Sequence, residues 1–107
     1  MMLLAKPARP RSEKHRRWVA SLPCCVPQCG RRNVQAHHLG CSPVPKARGL
    51  RPGDDWCVPV CVQHHDPNHQ GSIHHDGGER AWWERKGLDP IAIAEKLWAA
   101  SVAAGRA

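Results

Sequence analysis

The sequence predicts a small α+β domain, and three observations lead to this fold class. The chain has 107 residues, which is enough for a single domain with a modest apolar core. Ten prolines and nine glycines keep the regular elements short. Six cysteines and eight histidines exceed ordinary usage, which indicates that something besides apolar burial holds the fold together. No apolar run approaches ~18 residues, so the composition excludes a membrane span.

The basic residues are concentrated at the N-terminus. Residues 1–32 hold eight Lys and Arg against a single Glu, whereas residues 33–66 and 67–107 are each neutral by count. The whole formal charge of +7 therefore lies in the first third of the chain. A block of this kind is typical of a solvated tail or of an arm that meets a polyanion. We expect residues 1–11 to form a disordered basic arm and residues 12–104 to form one domain.

Helices are predicted at both ends of this domain. Residues 12–21 favour a short N-terminal helix with Ser12 as its N-cap. Near the C-terminus, residues 79–86 favour a second helix, and a third has Asp89 as its N-cap and Pro90 at its first position. The third helix places four apolar residues on one face: Ile91, Ala94, Leu97 and Trp98.

Two short strands are predicted in the middle of the chain. Residues 34–39 form the first, and residues 56–61 form the second, where Pro59 indicates an edge position. A short helix should follow the second strand and stop at Gly71. This helix is expected to carry three histidines: His64, His65 and His69.

Two pairs of Cys and His residues have the spacing of a structural zinc site. Cys24 and Cys29 are separated by four residues on a predicted turn, and Cys61 and His64 are separated by two. A four-coordinate zinc is usually held by two such pairs with a long segment between them. We assign these four residues to zinc, with Cys25 as an alternative to Cys24. Buried cysteines without a metal are the other interpretation of this pattern.

The first residues do not resemble an export signal, because their apolar run is short and the basic residues follow it. We therefore expect a cytoplasmic protein, in which thiols stay reduced and bind metal rather than form disulfides. Disulfide bonds in a small secreted domain are the alternative.

Four further histidines indicate a second metal site. If His64 binds zinc, its neighbour His65 must point elsewhere, and His69 lies one helical turn beyond His65. His37 and His38 are adjacent on a predicted strand, so they face opposite ways or diverge around a kink. One of the pair can join the other histidines on a metal while its neighbour faces solvent or substrate. Neutral imidazoles with an open coordination position suit metal-assisted hydrolysis, and a histidine suits a general base. Surface histidines or an extended zinc site are the alternatives.

Together these motifs resemble the HNH endonucleases of the ββα-metal type. More narrowly, the chain is similar to the small phage and prophage proteins related to the RecA-dependent recombination-enhancement nuclease. The resemblance covers about residues 12–100, with a zinc-stabilised core at about residues 22–71 and a C-terminal helical extension at 79–104. It rests on the following segments: Ser21-Leu22-Pro23-Cys24-x4-Cys29-Gly30, Ala36-His37-His38-Leu39, Lys46 and Arg48, Asp55-Trp56-Cys57-Val58-Pro59-Val60-Cys61-x2-His64-His65-x3-His69, and Gly78-Glu79-Arg80-Ala81-Trp82-Trp83-Glu84 with Leu88-Asp89-Pro90.

The resemblance implies a role for each histidine of the second site. His38, the second of the adjacent pair, would be the general base that takes a proton from the attacking water. His37, His65 and His69 would hold a catalytic Mg²⁺ or Mn²⁺, and His74 is an alternative to His69. The zinc would have a structural role only.

The chain departs from the family pattern in three places, one of which is an apparent insertion that contains His74 and His75. The middle asparagine, which orients the general base in the family, has no match, and Trp56 occupies roughly its place. Asp54 and Asp55 are both candidates for the asparagine's role, and the spacing does not choose between them. Pro67 lies inside the expected metal helix and can shorten or bend it after His65.

DNA is the expected substrate and partner. Contacts from Lys and Arg to phosphate give affinity without sequence preference. We expect Lys46, Arg48 and Arg51 to contact the DNA backbone near the scissile phosphate. The adjacent Trp82 and Trp83 are more typical of core or zinc-site packing than of base stacking.

Sequence and resemblance lead to one hypothesis and one alternative. The hypothesis is a metal-dependent DNA endonuclease or nickase that hydrolyses phosphodiester bonds in phage or prophage recombination. It would act in the cytoplasm of a bacterial host or a phage-infected cell, with a bacterial recombinase filament as an implied partner and no membrane. The alternative is a zinc-stabilised nucleic-acid-binding or recombination accessory protein with a degenerate HNH site.

Overall fold

A two-stranded antiparallel sheet organises the structure. This computed structural model describes residues 10–42, 52–66, 68, 70–74 and 77–107. In the sheet, His37 lies opposite Val58 and His38 lies opposite Cys57. The elements of the described residues are α1 (Glu13–Ala20), β1 (Val34–His38), one 3₁₀ turn (Asp54–Trp56), β2 (Cys57–Cys61), α2 (Val62–His65), α3 (Gly78–Lys86) and α4 (Pro90–Ala104). The predicted small α+β class is confirmed.

Capping side chains set the starts of the first and last helices, as the sequence predicts. The Ser12 hydroxyl accepts a hydrogen bond from the His15 backbone N–H at the start of α1. At the start of α4, the Asp89 carboxylate accepts hydrogen bonds from the N–H groups of Ile91 and Ala92, and Pro90 occupies the first helical position. Each cap satisfies backbone donors that have no partner inside the helix.

The core lies between the sheet and the helices. All five residues of β2 are buried because α1 and α4 both pack against it, and α4 also packs against the 3₁₀ turn. Trp82 and Trp83 on α3 are almost fully buried, so the prediction that they pack in the core is confirmed. The buried cluster contains Cys24, Val26, Leu39, Val58, Val60, Cys61, Ile73, Trp82, Trp83 and Ala94.

The helix after β2 is shorter than the sequence predicts. α2 ends at His65, and Asp66 adopts an extended conformation with φ −66° and ψ 120°. Asp66 precedes Pro67, and a residue before proline is disfavoured in the helical conformation. The prediction of one helix from His64 to His69 is therefore wrong, while His69 itself lies outside the described residues.

Two residues of the expected N-terminal arm belong to the folded domain. The Pro10 carbonyl accepts a hydrogen bond of 2.7 Å from the Asp54 backbone N–H, and the Arg11 guanidinium donates to the Pro52 carbonyl. A Cβ atom at Gly53 would lie 2.9 Å from Pro10, so glycine permits this close approach. Pro10 and Arg11, the last two residues of the expected arm, thus contact residues 52–54 of the domain. None of the described helices is long and apolar enough to cross a membrane.

Candidate functional site

Cys24, Cys29, Cys61 and His64 form a cluster that could hold a metal ion. One ligand atom from each lies within 4.8 Å of all the others. The Cys29 and Cys61 sulfurs are 3.8 Å apart, and His64 Nδ1 lies 3.2 Å from Cys61 Sγ and 3.6 Å from Cys24 Sγ. Tetrahedral coordination at ordinary zinc bond lengths separates two sulfurs by about 3.8 Å and a sulfur from a nitrogen by about 3.5 Å. The ligand set predicted from the sequence therefore comes together with tetrahedral spacing.

The turn between Cys24 and Cys29 brings Cys24, and not Cys25, into the cluster. The Cys29 N–H closes this turn on the Val26 carbonyl at 3.1 Å. The Cys25 N–H donates to the Pro59 carbonyl at 2.9 Å, which ties the turn to β2. The Cys25 side chain packs against the core instead of joining the cluster, and burial raises the pKa of its thiol to about 12. All six cysteines lie within the described residues, and the structure forms no disulfide bond between them.

Two sulfurs of this cluster each have a nitrogen donor beside them. The Cys61 N–H points at Cys24 Sγ at 3.4 Å, and the Arg31 guanidinium lies 3.7 Å from Cys29 Sγ. Without a metal, burial raises the pKa of Cys24 to about 11. Burial also opposes the thiolate of Cys29, but hydrogen bonds from Arg31, Cys61 and Cys24 together outweigh it and lower the pKa of Cys29. These donors stabilise the thiolate form that a metal requires.

His37, His65 and His74 form a second cluster with three imidazoles. Their ligand atoms lie within 4.8 Å of one another, and the ring centroids of His37 and His65 are 5.0 Å apart. Burial lowers the pKa of His65, and the neighbouring His37 and His74 lower it further. A neutral imidazole is the form that binds a metal. Of the two candidates for the third ligand, the structure places His74 in the cluster, and His69 lies outside the described residues.

A backbone hydrogen bond brings His74 to this position. The Ile73 N–H donates to the His64 carbonyl at 2.7 Å, and the Ile73 side chain is fully buried in the core. The chain therefore folds back against α2 immediately before His74. The sequence carried a signal for this contact, because Ile73 is the sole aliphatic residue between positions 63 and 80.

Glu79 is a site residue whose role sequence reasoning missed. Its carboxylate accepts hydrogen bonds from His37 Nε2 at 3.1 Å, from the Gly40 N–H at 3.0 Å and from Trp83 Nε1 at 3.1 Å. Burial opposes its charge, but the hydrogen bond from His37 and the other donors lower the pKa of Glu79. Because Nε2 of His37 is bonded to this carboxylate, Nδ1 is the nitrogen left for a metal.

His38 faces a different partner from His37, as expected for neighbours on a strand. Its Nε2 lies 2.8 Å from Oδ1 of Asp54, whose side chain is 1% exposed. Burial opposes the charge of Asp54, but hydrogen bonds from His38 and the Ser12 N–H, together with the Arg16 cation, lower its pKa. An ionised carboxylate can only accept, so Nε2 of His38 carries the hydrogen and Nδ1 is its basic nitrogen.

The structure therefore chooses Asp54 over Asp55 as the residue that orients His38. Cys57 lies beside this pair, and the three residues form a third group whose ligand atoms lie within 4.8 Å. Burial raises the pKa of the Cys57 thiol to about 12, and the Arg16 Nε already pairs with Asp54 at 3.0 Å. The adjacent guanidinium, already paired with the Asp54 carboxylate, disfavours a metal ion here.

The three basic residues expected to contact DNA, Lys46, Arg48 and Arg51, lie outside the described residues. Among known protein families, the model of DUF968, described as a protein of unknown function, matches residues 1–105. Comparison with curated proteins and with solved structures found no match.

Proposed function

The chain belongs to the DUF968 family, and we propose that it is an HNH-type, metal-dependent DNA endonuclease or nickase. One observation carries the proposal: consecutive residues of α2 enter two different metal-ligand clusters. His64 belongs to the cluster with three cysteines, and His65 belongs to the cluster with His37 and His74. A structural metal would thus fix the helix that presents a ligand to a catalytic metal.

The first cluster suits structural zinc. Three thiolates and one imidazole form a closed, tetrahedral donor set with no position left for substrate. The element order β1, β2, α2 supports this assignment, because it is the order of the ββα-metal type, and Cys61 and His64 lie where α2 follows β2. The zinc would compensate for the small core of a 107-residue chain.

The second cluster suits a catalytic cation. Three imidazoles leave coordination positions for water and phosphate oxygens, and imidazole donors fit Mn²⁺ or another first-row transition ion better than Mg²⁺. A cation here would stabilise the negative charge that develops on phosphate during hydrolysis. Glu79 orients His37 for this task through their hydrogen bond.

His38 supplies the general base in this proposal. Asp54 holds the Nε2–H of the ring, so Nδ1 accepts a proton from the attacking water while Asp54 stabilises the imidazolium that forms. The water oxygen attacks phosphorus, the bond to the leaving 3′-oxygen breaks, and this oxygen takes a proton from solvent. Asp54 thereby takes the part of the asparagine that the sequence lacks.

DNA is the proposed substrate because the formal charge of +7 favours a polyanion. Conversion of supercoiled plasmid to nicked circles, with Mn²⁺ or Mg²⁺ added, tests the activity. We expect divalent-dependent nicking by the wild type, faster with Mn²⁺, and a loss of at least 100-fold in His38→Ala. DNA binding with equal, metal-independent background nicking in both proteins would contradict the proposal. That outcome would favour the zinc-stabilised accessory protein, with or without a recombinase filament as partner.

A further inference from the structure

We infer that a pocket beside His38 binds a phosphodiester group of the DNA backbone; this inference rests on the proposed function. The pocket has a volume of about 260 Å³ and is lined by Arg11, Arg16, His38 and Asp54. The ring of the proposed general base therefore lines the same pocket as two guanidinium groups. A phosphate held there would lie beside the ring of His38.

The guanidinium groups have donors to spare after neutralising Asp54. The ion pair of Arg16 with Asp54 uses Nε, which leaves the two terminal amino groups of Arg16 for another acceptor. Arg11 lies 3.8 Å from the same carboxylate and donates one further bond to the Pro52 carbonyl. The side chains of Arg11 and Arg16 are 56% and 45% exposed, so both are accessible to a ligand.

The charge of the pocket matches one phosphodiester. Two guanidinium cations and one buried carboxylate leave a net charge of +1 when His38 is neutral. A phosphodiester carries a single negative charge and would balance this excess, with the paired geometry that guanidinium groups offer to phosphate oxygens. A free phosphate dianion carries more negative charge than this excess can balance.

The sequence immediately before Pro10 is basic, which also favours a long polyanion over a small anion as the ligand. Pro10 and Arg11 enter the fold against residues 52–54, and the segment before them contains Lys6 and Arg9. The charges of this segment would add to the attraction for a polyanion. The competing explanation is that both arginines serve only to neutralise Asp54.

Equilibrium binding of a short labelled duplex over a range of salt concentrations, without added Mn²⁺ or Mg²⁺, separates these explanations. Arg11→Gln should weaken binding and reduce the slope of log K against log salt by about 0.9, the effect of one lost phosphate contact. Arg17→Gln is the matched control, because it removes the same charge from an exposed residue that pairs with Glu13. Its slope should stay within error of the wild type. Equal slopes in the two variants would overturn the inference.

Two further measurements keep the test independent of folding and of catalysis. Arg16→Lys retains the charge that faces Asp54 but loses the guanidinium, so it should bind DNA less tightly than the matched Arg17→Lys at an unchanged melting temperature. If the wild type fails to nick DNA but the Arg11→Gln slope falls, the pocket stands and the nuclease proposal fails. If the wild type nicks DNA and the slopes are equal, the pocket alone fails.

The ring resonances of His38 identify the ligand. Titration with dimethyl phosphate and with duplex DNA should shift them in the wild type and much less in Arg11→Gln. Shifts with inorganic phosphate, but with neither diester, would assign the pocket to free phosphate and overturn the DNA assignment.

Discussion

His38 Nε2 donates a hydrogen bond of 2.8 Å to Oδ1 of Asp54, which lies sixteen positions away in sequence and is buried. Asp54 is held in turn by the Ser12 N–H at 2.7 Å and by Arg16 Nε at 3.0 Å. α1 thus reaches across to the end of the sheet and fixes the carboxylate that orients the ring. The N-terminal helix is part of the candidate site.

Neutralising Asp54 should impair nicking more than binding. In Asp54→Ala, Nε2 of His38 loses the acceptor that orients the ring, so we expect nicking to fall on the order of 100-fold or more. Asp55→Ala is the matched control, because its half-buried carboxylate is adjacent but not bonded to His38. Single-turnover nicking rates measure the effect. Equal losses in both variants would show that Asp54 has no specific role.

The two adjacent cysteines provide a test of the zinc site. Cys24→Ala should lose bound zinc and its cooperative thermal unfolding, because apparent zinc binding of about 10–16 kcal/mol is comparable to the whole stability of a small domain. Cys25→Ala should retain zinc, since its sulfur lies outside the ligand cluster. Zinc content after dialysis and the melting temperature are the measurements. Zinc loss from the Cys25 variant alone would reverse the assignment.

Glu79 should act on the second cluster through His37. Glu79→Gln removes the carboxylate that accepts from Nε2, so we expect Mn²⁺ affinity to fall by about 10- to 100-fold. Glu84→Gln, an exposed change on the same helix, should leave Mn²⁺ affinity unchanged. Calorimetric titration of the zinc-loaded protein with Mn²⁺ compares the two. A loss of stability without a change in Mn²⁺ affinity would limit Glu79 to a structural role.

The cysteine cluster could be predicted from sequence because its ligands come in short local pairs. The spacing of Cys24 with Cys29 and of Cys61 with His64 already limits each pair to one ion, and the sheet then brings the pairs together. The spacing does not decide between Cys24 and Cys25, since the choice depends on a hydrogen bond from the Cys25 N–H to β2.

The second cluster depends on long-range contacts, so the sequence predicted it less completely. Glu79 reaches His37 over 42 positions, and its pattern on α3 does not distinguish it from an exposed helix acid. The spacing of the histidines predicts a helix that continues past His65. Pro67 disfavours the helical conformation at Asp66, so the helix ends at His65. Periodicity does not predict the position of His74. The contact of Ile73 with α2 determines that position, because it holds the chain immediately before His74.

The buried His15 makes stability depend on pH. Burial lowers the pKa of His15, whose Nδ1 bonds to the Ser101 hydroxyl at 2.6 Å on α4. Because the pKa of His15 is lower in the folded state, the contribution of His15 to stability is complete above the ordinary pKa of 6.5. This contribution is lost as the pH falls from 6.5 toward the pKa of the folded state. As the pH is lowered from about 8 to about 5, the melting temperature of the wild type should therefore fall relative to that of His15→Gln. A constant difference across this range would contradict this role of His15.

Two N-terminal deletions separate the charge of the arm from its packing. Removal of residues 1–9 takes away Lys6 and Arg9, so DNA affinity should fall at low salt while the melting temperature stays unchanged. Removal of residues 1–11 also deletes the Pro10 carbonyl that accepts from the Asp54 N–H. An unpaired buried N–H costs about 1 kcal/mol or more, which corresponds to a fall of about 4–8 °C in melting temperature. Nicking at saturating DNA should drop only in the longer deletion, because that deletion alone disturbs the carboxylate that orients His38. Equal stability and nicking rates in the two proteins would show that Pro10 and Arg11 are dispensable to the site.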